Sequence, residues 1–260
     1  MVWMTSTDQM GNVVELPNRP QRIISLVPSQ TELLFDLELS HQVVGITKFC
    51  VHPGHWHKSK TIIGGTKNFH FDTIQQLNPD LIIGNKEENY AEGISELKKH
   101  YRVWMSDITT IDDALSMIYS ISSLTDRTLK GEEIVTQIQS AFNELKVVSP
   151  ISTLYLMWRD PWMGVANQTF IHFMMEKIGL INVLSDRVRY PELNDSEIRK
   201  LNPTLVLLST EPFPFSEKYI HEIKRILPDA KVLIVDGETF SWYGSRMRAA
   251  PVYFDSLNFS

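Results

Sequence analysis

The sequence predicts an α/β protein of two lobes with parallel-sheet cores, joined by a single long connecting helix. Three observations carry this. Apolar runs that read as strands alternate with amphipathic helices along most of the chain, the order that builds parallel sheets. The chain also repeats itself. Ile74-Gln-Gln-Leu-Asn78-Pro79-Asp-Leu-Ile-Ile83 is matched by Ile198-Arg-Lys-Leu-Asn202-Pro203-Thr-Leu-Val-Leu207, each reading as a short helix, a Leu-Asn-Pro stop and a buried strand. The offset of 124 residues (202 − 78) is too long for a solenoid and marks two similar halves. Between them, Asp126 to Lys146 reads as one helix. Its stripe runs through Leu129, Ile134, Val135, Ile138, Ala141, Phe142 and Leu145, with Lys130, Glu132, Glu133, Gln137 and Glu144 opposite. Thr125-Asp126 offers its N-cap and Ser149-Pro150 its stop. The expected divisions are an N-terminal lobe over 1–107, a helical connector over 108–148 and a C-terminal lobe over 149–260.

Taken in order, residues 5–17 read as a hairpin turning at Gly11-Asn12. Arg22–Val27 is a buried strand that feeds a helix through Pro28-Ser29, a place where free backbone N–H groups meet ligands. Val43–Ile46 is a strand leading into the loop Lys48–His57. Thr61–Ile63 follows, then a helix over Phe71–Leu77, the strand Leu81–Ile83, a helix to His100, the strand Val103-Trp104 and a helix over Ile111–Leu124. In the second half, Thr153–Met157 is a strand and Phe170–Ile178 a helix ended by Gly179. The repeat helix and strand come next. Lys231–Val235 is the last strand, before a terminal helix.

Hydrophobic residues make up 43% of the 260 and charged residues 22%, ordinary for a globular protein. A net charge of −6 argues against nucleic-acid binding. The single cysteine excludes an internal disulfide framework. No run reaches the roughly 18 apolar residues of a membrane span. Met1-Val-Trp-Met-Thr-Ser-Thr lacks the basic and apolar regions of a signal peptide.

In parallel sheets, ligands sit beyond the carboxyl ends of the strands. Those ends carry Phe49, Trp158, Trp162, Phe213, Phe215, Trp242 and Tyr243, aromatics beside proline and glycine that are expected to line a cleft. Lys48, Lys86, Arg159 and Arg246 share these loops and suit a ligand with acidic groups. His52-x-x-His55-x-His57 near Cys50 has some look of a metal cluster. It lacks the helical or hairpin spacing and second ligand group of a zinc site, so one ligand-facing histidine is expected and no bound metal. Nucleophile-elbow, Walker, dinucleotide and zincin motifs are missing, which argues against an enzyme.

The opening from Asp8 to Pro28, Val44-Gly45-Ile46, Leu77-Asn78-Pro79-Asp80-Leu81-Ile82, Arg187-Val188-Arg189-Tyr190-Pro191, Leu201-Asn202-Pro203 and Trp242-Tyr243-Gly244-Ser245-Arg246 together resemble the substrate-binding proteins of iron-chelate and vitamin B12 ABC importers. The resemblance covers nearly the whole chain. It implies a non-enzymatic monomer with no resident cofactor. Such a protein holds a metal chelate of iron or cobalt (a ferric siderophore, haem or corrinoid) in the cleft between two lobes and delivers it to an importer permease. Phe49, His52, Trp162 and Tyr190 match ligand-facing positions of the cobalamin-binding members, whereas Thr66 and Asn85 stand where those members carry tryptophan. With Ser29, Lys86, Trp158, Phe213, Trp242, Tyr243 and Arg246, these four make the candidate ligand set. Asp72 matches a carboxylate that docks on the permease. Its partner in the second half falls on Ser196 in strict register, with Glu197 next to it as the docking candidate. Such proteins work outside the cytoplasmic membrane, in the periplasm or anchored to the membrane, which requires a leader before this numbering. A true start at Met1 favours the alternative, a cytoplasmic enzyme or chaperone for a metal-containing cofactor on the same scaffold.

Overall fold

The computed structural model describes residues 3–259. The chain forms two compact units. The first takes the chain up to Ile108, Asp112–Ser140 and Tyr243–Arg248; the second takes Thr109–Ile111, Ala141–Trp242 and the chain from Ala249 on.

In the first unit, β1 (Met4–Thr7) and β2 (Val13–Leu16) form the expected hairpin, with Gly11 at positive φ in its turn. The elements that follow are β3 (Ile23–Ser25), α1 (Pro28–Asp36), β4 (Val43–Ile46), α2 (Gly54–Ser59), β5 (Thr61–Ile62), the small hairpin β6 (Gly64–Gly65) and β7 (Asn68–Phe69), and α3 (Phe71–Leu77). Then come β8 (Leu81–Asn85), α4 (Ala91–Lys98), β9 (Val103–Ser106), α5 (Ile111–Leu124) and α6 (Thr128–Asn143). The sheet order β5-β4-β3-β8-β9 is parallel throughout. Its strands β3, β8 and β9 are buried throughout and β4 nearly so, which is why they read as apolar runs. Pro28-Ser29 is not a loop but the first turn of α1, where proline costs no hydrogen bond.

The second unit holds β10 (Ile151–Trp158), β11 (Trp162–Gly164), α7 (Phe170–Ile178), β12 (Leu180–Asn182), β13 (Glu192–Leu193), α8 (Asp195–Leu201) and β14 (Leu205–Ser209). It continues with α9 (Glu217–Ile226), β15 (Lys231–Val235), α10 (Gly237–Ser241) and α11 (Ala250–Ser256). Strands β12, β10, β14 and β15 are parallel. The sheet thus has the expected parallel core, which β11 and β13 extend antiparallel. The Arg159-Asp160-Pro161 corner after β10 turns the chain straight back instead of into a helix.

The repeat is structural. Helices α3 and α8, and strands β8 and β14, correspond residue for residue at the 124-residue offset. Asn78 and Asn202 each close their helix in the left-handed conformation, at φ 41° and 45°. Asparagine tolerates that region better than other side chains, and the proline that follows forbids further helix.

The connecting helix is shorter than the sequence suggests, Thr128–Asn143 instead of Asp126–Lys146. The Thr125 hydroxyl donates back to the Ile121 carbonyl at 2.7 Å and closes α5, and Asp126 sits at φ 58° between the two helices. α6 lies tightly on α5 because Gly131 has no side chain, since a Cβ there would stand 2.1 Å from Ser122 Oγ. Among the described residues no helix is long and apolar enough to cross a membrane.

Candidate functional site

In the first unit, the carboxyl ends of β3, β4, β8 and β9 are tied by a buried polar network. Thr31 Oγ1 lies 2.7 Å from Ser25 Oγ and 3.0 Å from Cys50 Sγ, and Gln30 Nε2 donates to Ser106 Oγ at 2.7 Å. Asn85, 2% exposed, donates to Ser106 Oγ and accepts from the backbone N–H groups of Glu87 and Glu88 at 2.8 and 3.1 Å. Its amide therefore shapes the loop after β8. Burial pushes the Cys50 thiol up to about 11, so it stays protonated and is a poor metal ligand. No three His, Cys, Asp or Glu side chains come together as a metal site among the described residues.

Of the candidate ligand residues in this unit, Phe49 is 50% exposed, and Val51 beside it 43%. His52 is half-buried and Ser29 buried. Lys86 pairs with Asp107 at 2.5 Å. Tyr243 is buried; its hydroxyl donates to Glu88 Oε1 at 3.3 Å, and burial raises its pKa. The Arg246 guanidinium holds Glu32 in two hydrogen bonds, of 2.8 and 2.9 Å. Burial, opposed by Arg246, still lifts the Glu32 carboxyl above its usual range. Arg248 holds Asp36 one helical turn further along α1. Asp72 is exposed in the first turn of α3. A groove of about 440 Å³ lies elsewhere, at the carboxyl end of α1, where Arg248 and Lys130 face Asp36 and Glu38 and balance them.

In the second unit, the strand-end aromatics gather into one cluster. Trp158, 39% exposed, meets Phe213 edge-on at 5.6 Å; Phe213 and Phe215 both pack on Tyr219. Trp162 lies deeper than the exposed Trp158. It is 2% exposed within the core, near-parallel to Phe215 at 6.2 Å, and its indole N–H donates to Asp195 at 3.0 Å. The antiparallel return of β11 carries it inward. Arg159 lies 4.2 Å from the Trp162 ring centre and pairs with Glu222 and Asp160. Trp242 is also buried, donating to Glu211 Oε1 at 2.9 Å. Burial raises the Glu211 carboxyl, against the hydrogen bonds from Ser241 and Trp242. Tyr190 is half-buried, with the Arg189 guanidinium 5.7 Å from its ring centre. Glu197 is committed at home: it closes a capping box with Asn194 and takes Arg187 at 3.2 Å.

Sequence reasoning missed the carboxylates Glu32, Glu88, Asp107, Asp195, Glu211 and Glu222, which engage the aromatics and cations it singled out. The one available signal was the i, i+4 spacing of Glu32 and Asp36 on α1, which suits two partners on one face.

An uncharacterised ABC-transporter substrate-binding lipoprotein of Bacillus subtilis is 23% identical over 224 residues, covering 78% of this chain and 68% of its own. A vitamin B12-binding protein of Pectobacterium atrosepticum is 20% identical, covering 73% of this chain and 71% of its own. The solved apo structure of a periplasmic haem-binding protein from Roseiflexus sp. RS-1 superposes with a TM-score of 0.77 at 20% identity, covering 90% of this chain and 97% of its own. The family model described as periplasmic binding protein matches residues 23–229, most of the chain and parts of both units, and the chain belongs to that family.

Proposed function

We propose that this protein captures a metal chelate outside the cytoplasmic membrane and delivers it to the permease of an ABC importer, as a monomeric binding protein without a catalytic step. The observation that carries the reading is exposed aromatic surface where a parallel sheet offers its ligand site. Phe49 with Val51 follows β4, and Trp158 ends β10. Neighbouring exposed apolar side chains such as Phe49 and Val51, at the carboxyl end of a parallel strand, suit a partner that covers them. Vitamin B12 and haem, named for two of the similar proteins, are both metal tetrapyrroles, which favours a tetrapyrrole of iron or cobalt over a ferric siderophore. Asp72 is the carboxylate offered to the permease, being exposed at a helix start, whereas Glu197 is already held by Arg187.

Titration of the purified protein with haemin, cobalamin and a ferric siderophore, read by absorption and tryptophan quenching, tests this. Saturable one-to-one binding of a tetrapyrrole is expected. Binding of the siderophore alone moves the ligand class, and no saturable binding by any of the three overturns the proposal.

A further inference from the structure

Four cations stand in the strand-end loops, Lys48, Lys86, Arg159 and Arg246, and carboxylates of the same unit neutralise three of them. Lys86 has Asp107, Arg159 has Glu222 and Asp160, and Arg246 has Glu32. Lys48 makes no ion pair among the described residues. Its side chain is exposed, with the ammonium 5.0 Å from the centre of the equally exposed Phe49 ring.

The sequence around Lys48 is basic. From residue 39 to residue 71 the chain has no Asp or Glu, but carries Lys48, Lys58, Lys60 and Lys67 with several histidines, in a protein whose net charge is −6. Glu88 and Glu32 act on Cys50 and His52 of the same loop, so what favours an anionic visitor is the Lys48 ammonium itself, which no described carboxylate pairs. The backbone beneath is fixed. Lys48 N donates to the Gly64 carbonyl at 2.9 Å, and His57 Nε2 lies 3.1 Å from the Lys48 carbonyl. Gly65 leaves room for the pair, since a Cβ there would meet the Phe49 ring at 3.2 Å and Lys48 Cε at 3.5 Å. The loop thus presents one exposed aromatic ring with a cation above it that no described carboxylate neutralises.

We infer that Lys48 receives an acidic substituent of the chelate while Phe49 lies against its apolar face, so that the protein selects anionic chelates over neutral ones of the same shape. This rests on the chelate-binding reading. Selection comes from the charge-assisted contact, because Phe49 contacts both forms alike.

The test uses chelates that differ in their acidic groups: haemin against haemin dimethyl ester, and cobyrinic acid against its amidated counterpart cobinamide. The parent is expected to prefer the acidic member of at least one pair. Lys48→Gln lowers affinity for that member by about tenfold, the scale of one charged hydrogen bond, and abolishes the preference. Phe49→Ala weakens both members equally. Lys200→Gln, an exposed change on α8, leaves both unchanged. Unchanged thermal melts show that each variant is folded. A Lys48→Gln variant that keeps the preference, or loses both members equally, overturns the inference alone, as does a parent that binds without preference. Failure of every chelate to bind overturns it together with the chelate reading.

Discussion

Replacing Trp162 by alanine is expected to unfold the second unit early, not to weaken ligand binding selectively. An indole buries on the order of 200 Å², which at about 25 cal/mol per Å² amounts to roughly 5 kcal/mol. Discounting about 10–40% for surface already covered in the unfolded chain leaves about 3–4.5 kcal/mol. That agrees with the roughly 3–5 kcal/mol typical of tryptophan-to-alanine changes in cores. The residue is 2% exposed, stacks on Phe215 and donates to Asp195, so neither the area nor the hydrogen bond is recovered elsewhere. Trp162→Phe keeps the stack and gives up the N–H, at a cost of about 1–2 kcal/mol. Urea unfolding followed by circular dichroism measures both variants, and chelate titration in the absence of urea runs beside it. An alanine variant within about 1 kcal/mol of the parent, with much weaker chelate binding, would refute the reasoning and return Trp162 to the ligand site.

Two further perturbations test the carboxylates and the repeat. Burial raises the Glu211 carboxyl above 4.5, so the native state keeps a proton that the unfolded chain has released. Stability from this group is therefore greatest below the unfolded value and falls as pH rises through the folded one. Glu211→Gln keeps an acceptor for Ser241 and Trp242 and should flatten that fall. Urea midpoints between about pH 4 and pH 7 that track the parent would reject it. At the helix ends, Asn78→Ala and Asn202→Ala should each cost about 1 kcal/mol, and the glycine versions close to nothing, because only the left-handed backbone is at stake. Equal losses with alanine and glycine would point to side-chain contacts instead.

The parts of the fold that depend on local chemistry were legible in the sequence. The Leu-Asn-Pro stops, the Gly179 terminus and the strand Lys231–Val235 stand where propensity and periodicity put them. What escaped depends on partners far along the chain. Arg246 meets Glu32 across 214 residues, and Arg159 meets Glu222 across 63, so the sequence offered cations without showing which were neutralised. Trp162 and Trp158 look alike as strand-end aromatics, yet one is core and the other half open, because the turn between them reverses the strand. The short helix α2 after the Phe49 loop was announced by no periodicity.

The first unit is discontinuous in sequence, and this bears on how the protein is made. Its last piece, Tyr243–Arg248, supplies the guanidinium groups that pair with Glu32 and Asp36 of α1. A ribosome that has just emitted Ser140 must add about a hundred more residues before that piece exists, roughly 5–20 s at ordinary elongation rates. During that interval α1 shows two carboxylates and a partly uncovered flank to the cytosol or the secretion machinery. A nascent chain stalled before residue 243 therefore carries an unfinished amino-terminal unit, however complete its sheet, and a deletion of the tail would act on the beginning of the protein as well as on its end.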